Sequence, residues 1–341
     1  MRRIWKGAIA ATLTAVLIVG TTMFSQSATW DNIKLQYFSW TQVLHDQTQE
    51  LGDLEKQDID PEAYSRIDLD ELLAGGPPKD GIPSIDAPQF DTAETTPFGE
   101  DEWVVGMVVN GEAKAYPYGI LNWHEIVNDT IGGVNVSVTY CPLCDTIIAF
   151  DRGETTFGVS GKLYQSCLVM YDRADDSLYA QPWALGVVGP AVNRELPMLP
   201  AVKARLGSWL AAYPNSQILG TDTGHSRNYF EYPYGTYYTN ETLVFPARNQ
   251  QQLAHHPKEI VSYVWEADDQ TPHNQFSGTS AQFVHAELEA AGEIMVELGE
   301  TPIRARWDQT LDTAIIETLD GEVVPSSTAF AFVYPAFFGE D

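Results

Sequence analysis

The chain has 341 residues, of which 44% are hydrophobic, and its 9 Trp, 16 Tyr and 14 Phe supply ample material for a large core, so a disordered chain is excluded. Its net charge of −28, from 47 acidic and 19 basic residues, repels phosphate backbones and argues against a nucleic-acid partner. With 26 Gly and 20 Pro, the composition favours strands and turns over long helices.

The N-terminus opens with Arg2, Arg3 and Lys6, then an apolar run from Ala8 to Phe24, then the small polar stretch Ser25 to Ala28. This pattern reads as a secretory signal peptide or an uncleaved membrane anchor over residues 1–28, because the run falls short of the roughly 20 apolar residues a spanning helix needs. Either reading puts the body of the protein outside the cytoplasm: periplasmic, secreted or tethered to the membrane by its N-terminus. Residues 29–80 form a polar lead-in with one short helix expected near Trp40 to His45. The Gly- and Pro-rich "AGGPPKDGIPSIDAPQF" should wrap the domain in extended form.

A β-rich domain is expected over residues 81–341. In "WVVGMVVNGEAKAYPYGI" two apolar runs flank Asn110-Gly111, a strong hairpin signal. Ile120, Trp123, Ile126 and Val127 then recur at helical spacing and predict a short helix. After the Gly132-Gly133 turn, Val134, Val136, Val138 and Tyr140 alternate with Asn135, Ser137 and Thr139, which predicts a strand. Cys141 continues the polar phase and is expected on the less buried side at the strand's end.

The segments "IIAFDRGETTFGVS" and "LVMYDRADDSLYAQ" share one pattern of strand, Asp-Arg, polar turn and return strand. Their Asp-Arg pairs read as turn and ion-pair residues. Further along, "LGSWLAAYPN" predicts a helix and "HHPKEIVSYVWE" a strand. The polar residues 268–282 predict a loop, and "AFAFVYPAFF" predicts an aromatic closing strand. The fold class expected is mostly antiparallel β, all-β or α+β, with a few short helices in one main domain.

The sharpest chemical signal is Cys141-Pro-Leu-Cys144. A redox dithiol normally sits at a helix N-terminus, where the dipole favours the thiolate, whereas here "DTIIAF" continues as strand. A metal knuckle would aim both sulfurs at one point, but it normally has four ligands and this chain has no second CxxC. A structural disulfide suits an exported protein, and a pair of inert thiols is the remaining reading. The odd thiol, Cys167, shares a strand face with Val169 and Tyr171, as a small core residue does. His124 beside a helix's apolar face, His255, His256 and Lys258 in "HHPKE", and His225 and Arg227 in "TGHSRNY" are each unremarkable unless they converge on the cysteines. No GxSxG elbow, Walker A loop, dinucleotide fingerprint or HExxH is present.

Six segments, "IPSIDAPQF", "NGEAKAYPYGILNWHEIVNDTIGG", "VTYCPLCDTIIAFDR", "FGVSGKLYQSCLVMYDR", "PNSQILGTDTGHSRNY" and "HPKE", together resemble domain-of-unknown-function family 3179, over roughly residues 80–265. The family carries no established activity. His124, Cys141, Cys144 and His256 fall on positions of its pattern, so the resemblance makes those four the site candidates. Two departures stand out. The family usually has Gly after the second cysteine, where this chain has Asp145, a residue that tolerates positive φ better than most. Where Cys167 stands the family more often has an acidic or amide residue, which makes any role of Cys167 peculiar to this chain.

Two functions from different classes follow. The first is an extracytoplasmic thiol protein centred on Cys141 and Cys144, either redox-active or holding a thiolate-bound metal such as zinc, iron or copper. The second is a non-catalytic binding module in which the CxxC only staples a turn and the aromatics of "YFEYPYGTYY" form an exposed contact surface.

Overall fold

The computed structural model describes residues 65–268 and 274–339. The export segment, the first part of the lead-in and the helix expected near Trp40 to His45 lie outside the described residues. Among the described residues no helix is long and apolar enough to cross a membrane.

Among the described residues the chain forms a mostly antiparallel β fold with four short helices: α1 (Tyr118–His124), α2 (Leu206–Ala212), α3 (His285–Ala291) and α4 (Val333–Phe338). Its centre is a sheet of seven strands. In order they are Gly278–Val284, Ile260–Ala267, Ser327–Phe330, Thr146–Asp151, Val134–Cys141 and Ile126–Ile131, with Met198–Leu199 also paired to Thr146–Asp151. A five-stranded sheet that includes Phe157–Tyr164 and Cys167–Asp172 shares one apolar core with it, and its edge strand Leu72–Ala74 comes from the lead-in. Another five-stranded sheet, including Trp103–Val109 and Glu112–Pro117, shares a second core with the opposite face. A three-stranded sheet over residues 293–318 packs with α3 on a smaller third core.

The central position shows in the side-chain alternation. In Thr146–Asp151, Ile148 and Phe150 enter the first core while Ile147 and Ala149 enter the second. Both faces are therefore dry, which overturns one expectation. Ser137, Thr139 and Cys141, read as the less buried phase of their strand, are 0%, 0% and 1% exposed. Their hydroxyls are satisfied internally: Ser137 Oγ donates to Asn128 Oδ1 and Thr139 Oγ1 to the Ile148 carbonyl, both at 2.6 Å.

Local signals hold at the turns. Asn110-Gly111 and Gly132-Gly133 both take left-handed φ values, 50° and 84°, 55° and 81°, as two-residue hairpins require. The predicted helix is shorter than its apolar spacing suggests. It stops at His124, and Ile126 and Val127 belong to the strand Ile126–Ile131. The break is Glu125, whose φ of 57° and ψ of −35° end α1 while its N–H donates to the Leu121 carbonyl at 2.8 Å. The polar stretch at 268–282 becomes strand from Gly278, paired along Ile260–Ala267. The aromatic closing segment is a strand only to Phe330. It then coils into α4, which is apolar on several sides because Val333, Pro335, Ala336 and Phe337 are all buried.

The two Asp-Arg pairs are turn residues, as expected. Asp151 Oδ1 accepts from the Gly153 N–H at 3.0 Å and Asp172 Oδ1 from the Ala174 N–H at 2.8 Å. Arg173 pairs with Asp86 at 2.8 Å, and Arg152 donates to the Thr155 carbonyl at 2.6 Å.

Candidate functional site

The Cys-Pro-Leu-Cys segment closes the hairpin between Val134–Cys141 and Thr146–Asp151, with Cys141 opposite Thr146. The Cys144 N–H donates to the Cys141 carbonyl at 3.3 Å, and Asp145 follows at φ 51°, the positive φ that this turn demands and that Asp tolerates. Distant segments tie the turn down. The Cys144 carbonyl accepts from the Phe330 N–H at 2.8 Å and the Leu143 carbonyl from the Tyr237 hydroxyl at 2.7 Å.

Cys167 lies in the same place. It follows a hairpin turn at Gln165 and Ser166, enters the first core, and brings its thiol within hydrogen-bonding reach of Cys144, which in turn reaches Cys141. Thr146 Oγ1 donates to Cys144 Sγ at 3.0 Å. All three cysteines are free thiols and all are buried. Burial pushes Cys141 and Cys144 well above the usual thiol range and Cys167 up to about 11, so the cluster is protonated at neutral pH.

Asp145 anchors the turn from below. Its carboxylate accepts from Lys203 Nζ and from the hydroxyls of Tyr140 at 3.1 Å and Tyr238 at 3.0 Å. Lys203 and Asp145 are closed off from solvent, with side-chain exposures of 3% and 0%. The ammonium also lies 4.9 to 5.5 Å from the ring centres of Trp103, Tyr118 and Tyr238. Burial pushes the Lys203 pKa down, and Asp145 opposes that shift.

The histidine candidates are held elsewhere. His124 Nδ1 donates to the Pro83 carbonyl at 2.7 Å, which leaves Nε2 as acceptor from the Tyr229 hydroxyl at 2.8 Å. Burial, followed by the nearby His225 and Arg227, lowers its pKa to about 4, so the ring is neutral with both nitrogens occupied. His256 is a partly exposed turn residue whose Nδ1 accepts from the Lys258 N–H at 3.1 Å. Among the described residues no group of three or more His, Cys, Asp or Glu is arranged to hold a metal ion. Cys141, Cys144 and Cys167 thus lie within reach of one another, whereas His124 and His256 have separate partners.

The segment "YFEYPYGTYY" is not an exposed contact surface. Tyr229 and Tyr237 are buried, Tyr232, Tyr234 and Tyr238 are partly so, and only Phe230 among its aromatics stands out, at 66% exposure. The segment folds over the cysteine turn. Tyr229 caps His124, Tyr237 holds Leu143 and Tyr238 holds Asp145.

Beside that turn lies a cleft of ≈ 590 Å³, walled in part by Trp123, Glu125, Leu143, Lys162, Arg227 and Tyr234. Sequence reading passed over Glu125. It is 7% exposed, and among the described residues its carboxyl has no hydrogen-bond or ionic partner. Burial raises its pKa to about 8, and it lies near enough for its charge to bear on Cys141 and Tyr234. Its backbone is strained, in a conformation that a helix-ending Gly would take without strain. The one signal in the sequence was an acidic side chain directly before the apolar residues Ile126 and Val127.

The comparisons with known proteins bear on the same ground. A family model described as a protein of unknown function, DUF3179, matches residues 79–323. The chain belongs to the DUF3179 family. The matched region of this DUF3179 member holds the cysteine cluster, the Asp145–Lys203 pair and most of the cleft. No curated protein and no solved structure is matched.

Proposed function

We propose that this DUF3179 member binds a small molecule in the cleft beside the cysteine turn and that Glu125 exchanges a proton with it as general acid or base. The observation that carries the reading is a buried carboxyl without a partner, its pKa raised by burial to about 8, in the wall of a cleft. A carboxyl poised near neutrality can give and take a proton in one cycle, which an ordinary carboxylate cannot do at that pH. The cleft's volume is within the roughly 300–1,000 Å³ of small-molecule sites. The placement of a glutamate, and not a glycine, where the backbone is strained supports the same reading. Infrared difference spectroscopy across a pH series tests it. A protonated carboxyl band that persists at pH 7, bleaches near pH 8 and is missing in Glu125→Gln is expected. Loss of every such band by pH 6 would retire the proposal.

A second reading, thiol chemistry at Cys141, Cys144 and Cys167, is favoured by the meeting of three sulfurs where the sequence offered two. Two of the three thiols can pass two electrons and two protons to an external disulfide, which is reduced to two thiols while one disulfide forms here, or the thiols can lose protons to bind a soft cation such as zinc, iron or copper. Metal analysis and thiol titration of the purified protein separate these alternatives. We also propose export, on the charged start and apolar run of residues 1–28. N-terminal sequencing of soluble and membrane fractions checks it, and intact protein found in the cytoplasm alone would refute it.

A further inference from the structure

The cleft holds an acid that the protein itself leaves without a counter-ion. Glu125 lines it and, among the described residues, has no hydrogen-bond or ionic partner. The indole N–H of Trp123 and the side-chain oxygen of Asn122 also lack partners, but both are sealed from solvent. The Glu125 carboxyl is not sealed in this way, so it opens onto the cleft.

The cations of the wall do not serve it. Lys162 has a partner of its own. Arg227 stands exposed in the loop after Gly224, its guanidinium 5.8 Å from the centre of the Trp123 ring. Either charge beside the carboxyl would pull its pKa down, yet burial alone acts on it, and acts upward. The titratable groups close to Glu125 are Cys141 and Tyr234, and burial keeps both of them neutral at physiological pH.

The rest of the lining suits an apolar body that carries a positive charge. Ile82, Leu143 and Leu168 supply apolar surface, and Trp123 and Tyr234 supply aromatic rings. Tyr234 lies near enough to Glu125 for the carboxylate charge to bear on it, so an ammonium paired with Glu125 would also stand close to that ring. At a net charge of −28, the field of the whole molecule draws cations inward.

We propose that the cleft takes a small organic amine: an ammonium paired with Glu125, on an apolar or aromatic body packed against Ile82, Leu143 and Leu168. The inference rests on the small-molecule reading of the cleft given above and adds the class of ligand. An entering ammonium gives Glu125 the counter-ion it lacks, so the carboxyl ionises and its proton leaves to solvent. An alcohol of the same shape can only hydrogen-bond to the neutral acid, which is the weaker contact. A carboxylate finds no free cation there and holds the acid protonated.

Calorimetric titration of the full chain at pH 7 with phenethylamine, phenethyl alcohol and phenylacetate tests this. The amine is expected to bind at least about tenfold tighter than the alcohol, and phenylacetate to give no measurable binding. Amine titrations in buffers of different ionisation enthalpy should show release of about 0.9 proton per amine, because a carboxyl with a pKa of about 8 is about nine-tenths protonated at pH 7. Glu125→Gln should reduce the preference for the amine to less than about threefold and keep the affinity for the alcohol, the sign of an intact cleft. Equal or tighter binding of the alcohol or the acid overturns the proposal. So does an absence of amine binding, or a preference that survives in Glu125→Gln. The infrared band separates this from the proton-transfer reading. An amine preference that needs Glu125 but comes without the band or the proton release would refute the raised pKa alone, and the band without amine binding would refute the ligand class alone.

Discussion

Lys203 donates to Asp145 inside the protein, where neither side chain meets solvent. Asp145 stands directly after Cys144 at positive φ, a conformation that glycine takes without strain, and Lys203 comes from the strand Val202–Arg205 of a different sheet. The pair therefore joins the cysteine turn to a second layer. Removing one charge leaves the other buried and unpaired, a loss of about 3–5 kcal/mol in comparable cases. Asp145→Asn is expected to destabilise the fold by that order, measured by denaturant unfolding. Asp145→Gly combined with Lys203→Met should recover most of the loss, because the turn then has its preferred residue and no charge is stranded. A double variant no more stable than Asp145→Asn would show that the pair is not what holds the turn.

Glu125 makes stability fall with rising pH. Its carboxyl keeps a proton in the folded state up to about pH 8, whereas the unfolded chain releases it near the ordinary glutamate value of 4.5. Between those limits the folded state binds more protons, so stability is full below the unfolded pKa and declines as pH rises to the folded one. Each pH unit in that window is worth roughly 1.4 kcal/mol, to be discounted for any water that enters the cleft. Glu125→Gln should flatten the decline and raise stability at pH 7 by up to about 3 kcal/mol. Unfolding midpoints compared at pH 5, 7 and 8.5 would show the two curves converging at the acid end. Parallel curves would mean that Glu125 is already ionised at neutral pH.

The thiols should be silent until the protein opens. All three are buried and protonated at neutral pH, so a thiol reagent has no thiolate to meet. Native protein is expected to give no reaction within minutes, and denatured protein three equivalents. Because Cys141 and Cys144 touch, the effects of Cys141→Ser and Cys144→Ser on stability should depart from additivity by about 0.5 kcal/mol or more. Rapid modification of the native protein, or strictly additive effects, would leave independent thiols rather than a cluster.

Salt should stabilise the fold. At a net charge of −28 the dominant long-range term is carboxylate repulsion, and the Debye length shrinks from ~30 Å at 0.01 M to ~10 Å at 0.1 M salt. Melting curves across a sub-molar sodium chloride series are expected to shift upward. A flat or falling midpoint would show that internal pairs such as Lys203–Asp145 and Lys114–Asp129, rather than surface repulsion, control the response.

Features decided within a few residues were legible in the sequence alone. The Asn110-Gly111 hairpin, the alternation of Val134 to Tyr140, the turn at Cys141 to Asp145 and the family pattern all follow from local backbone preference and side-chain period. Those same local rules mistook the exposure of Cys141, because period-two alternation identifies two faces of a strand and does not say whether a second sheet will cover the polar one. They also carried α1 past His124, since helical spacing and the start of a strand look alike over two residues. The site itself was a tertiary decision. Cys167 meets Cys144 across 23 positions of chain, Lys203 meets Asp145 across 58, and the cleft assembles Glu125, Lys162 and Arg227 from three separate segments. What raises the Glu125 pKa and stills the thiols is exclusion of water by layers of sheet, a property of how the chain packs rather than of any residue's neighbours in sequence.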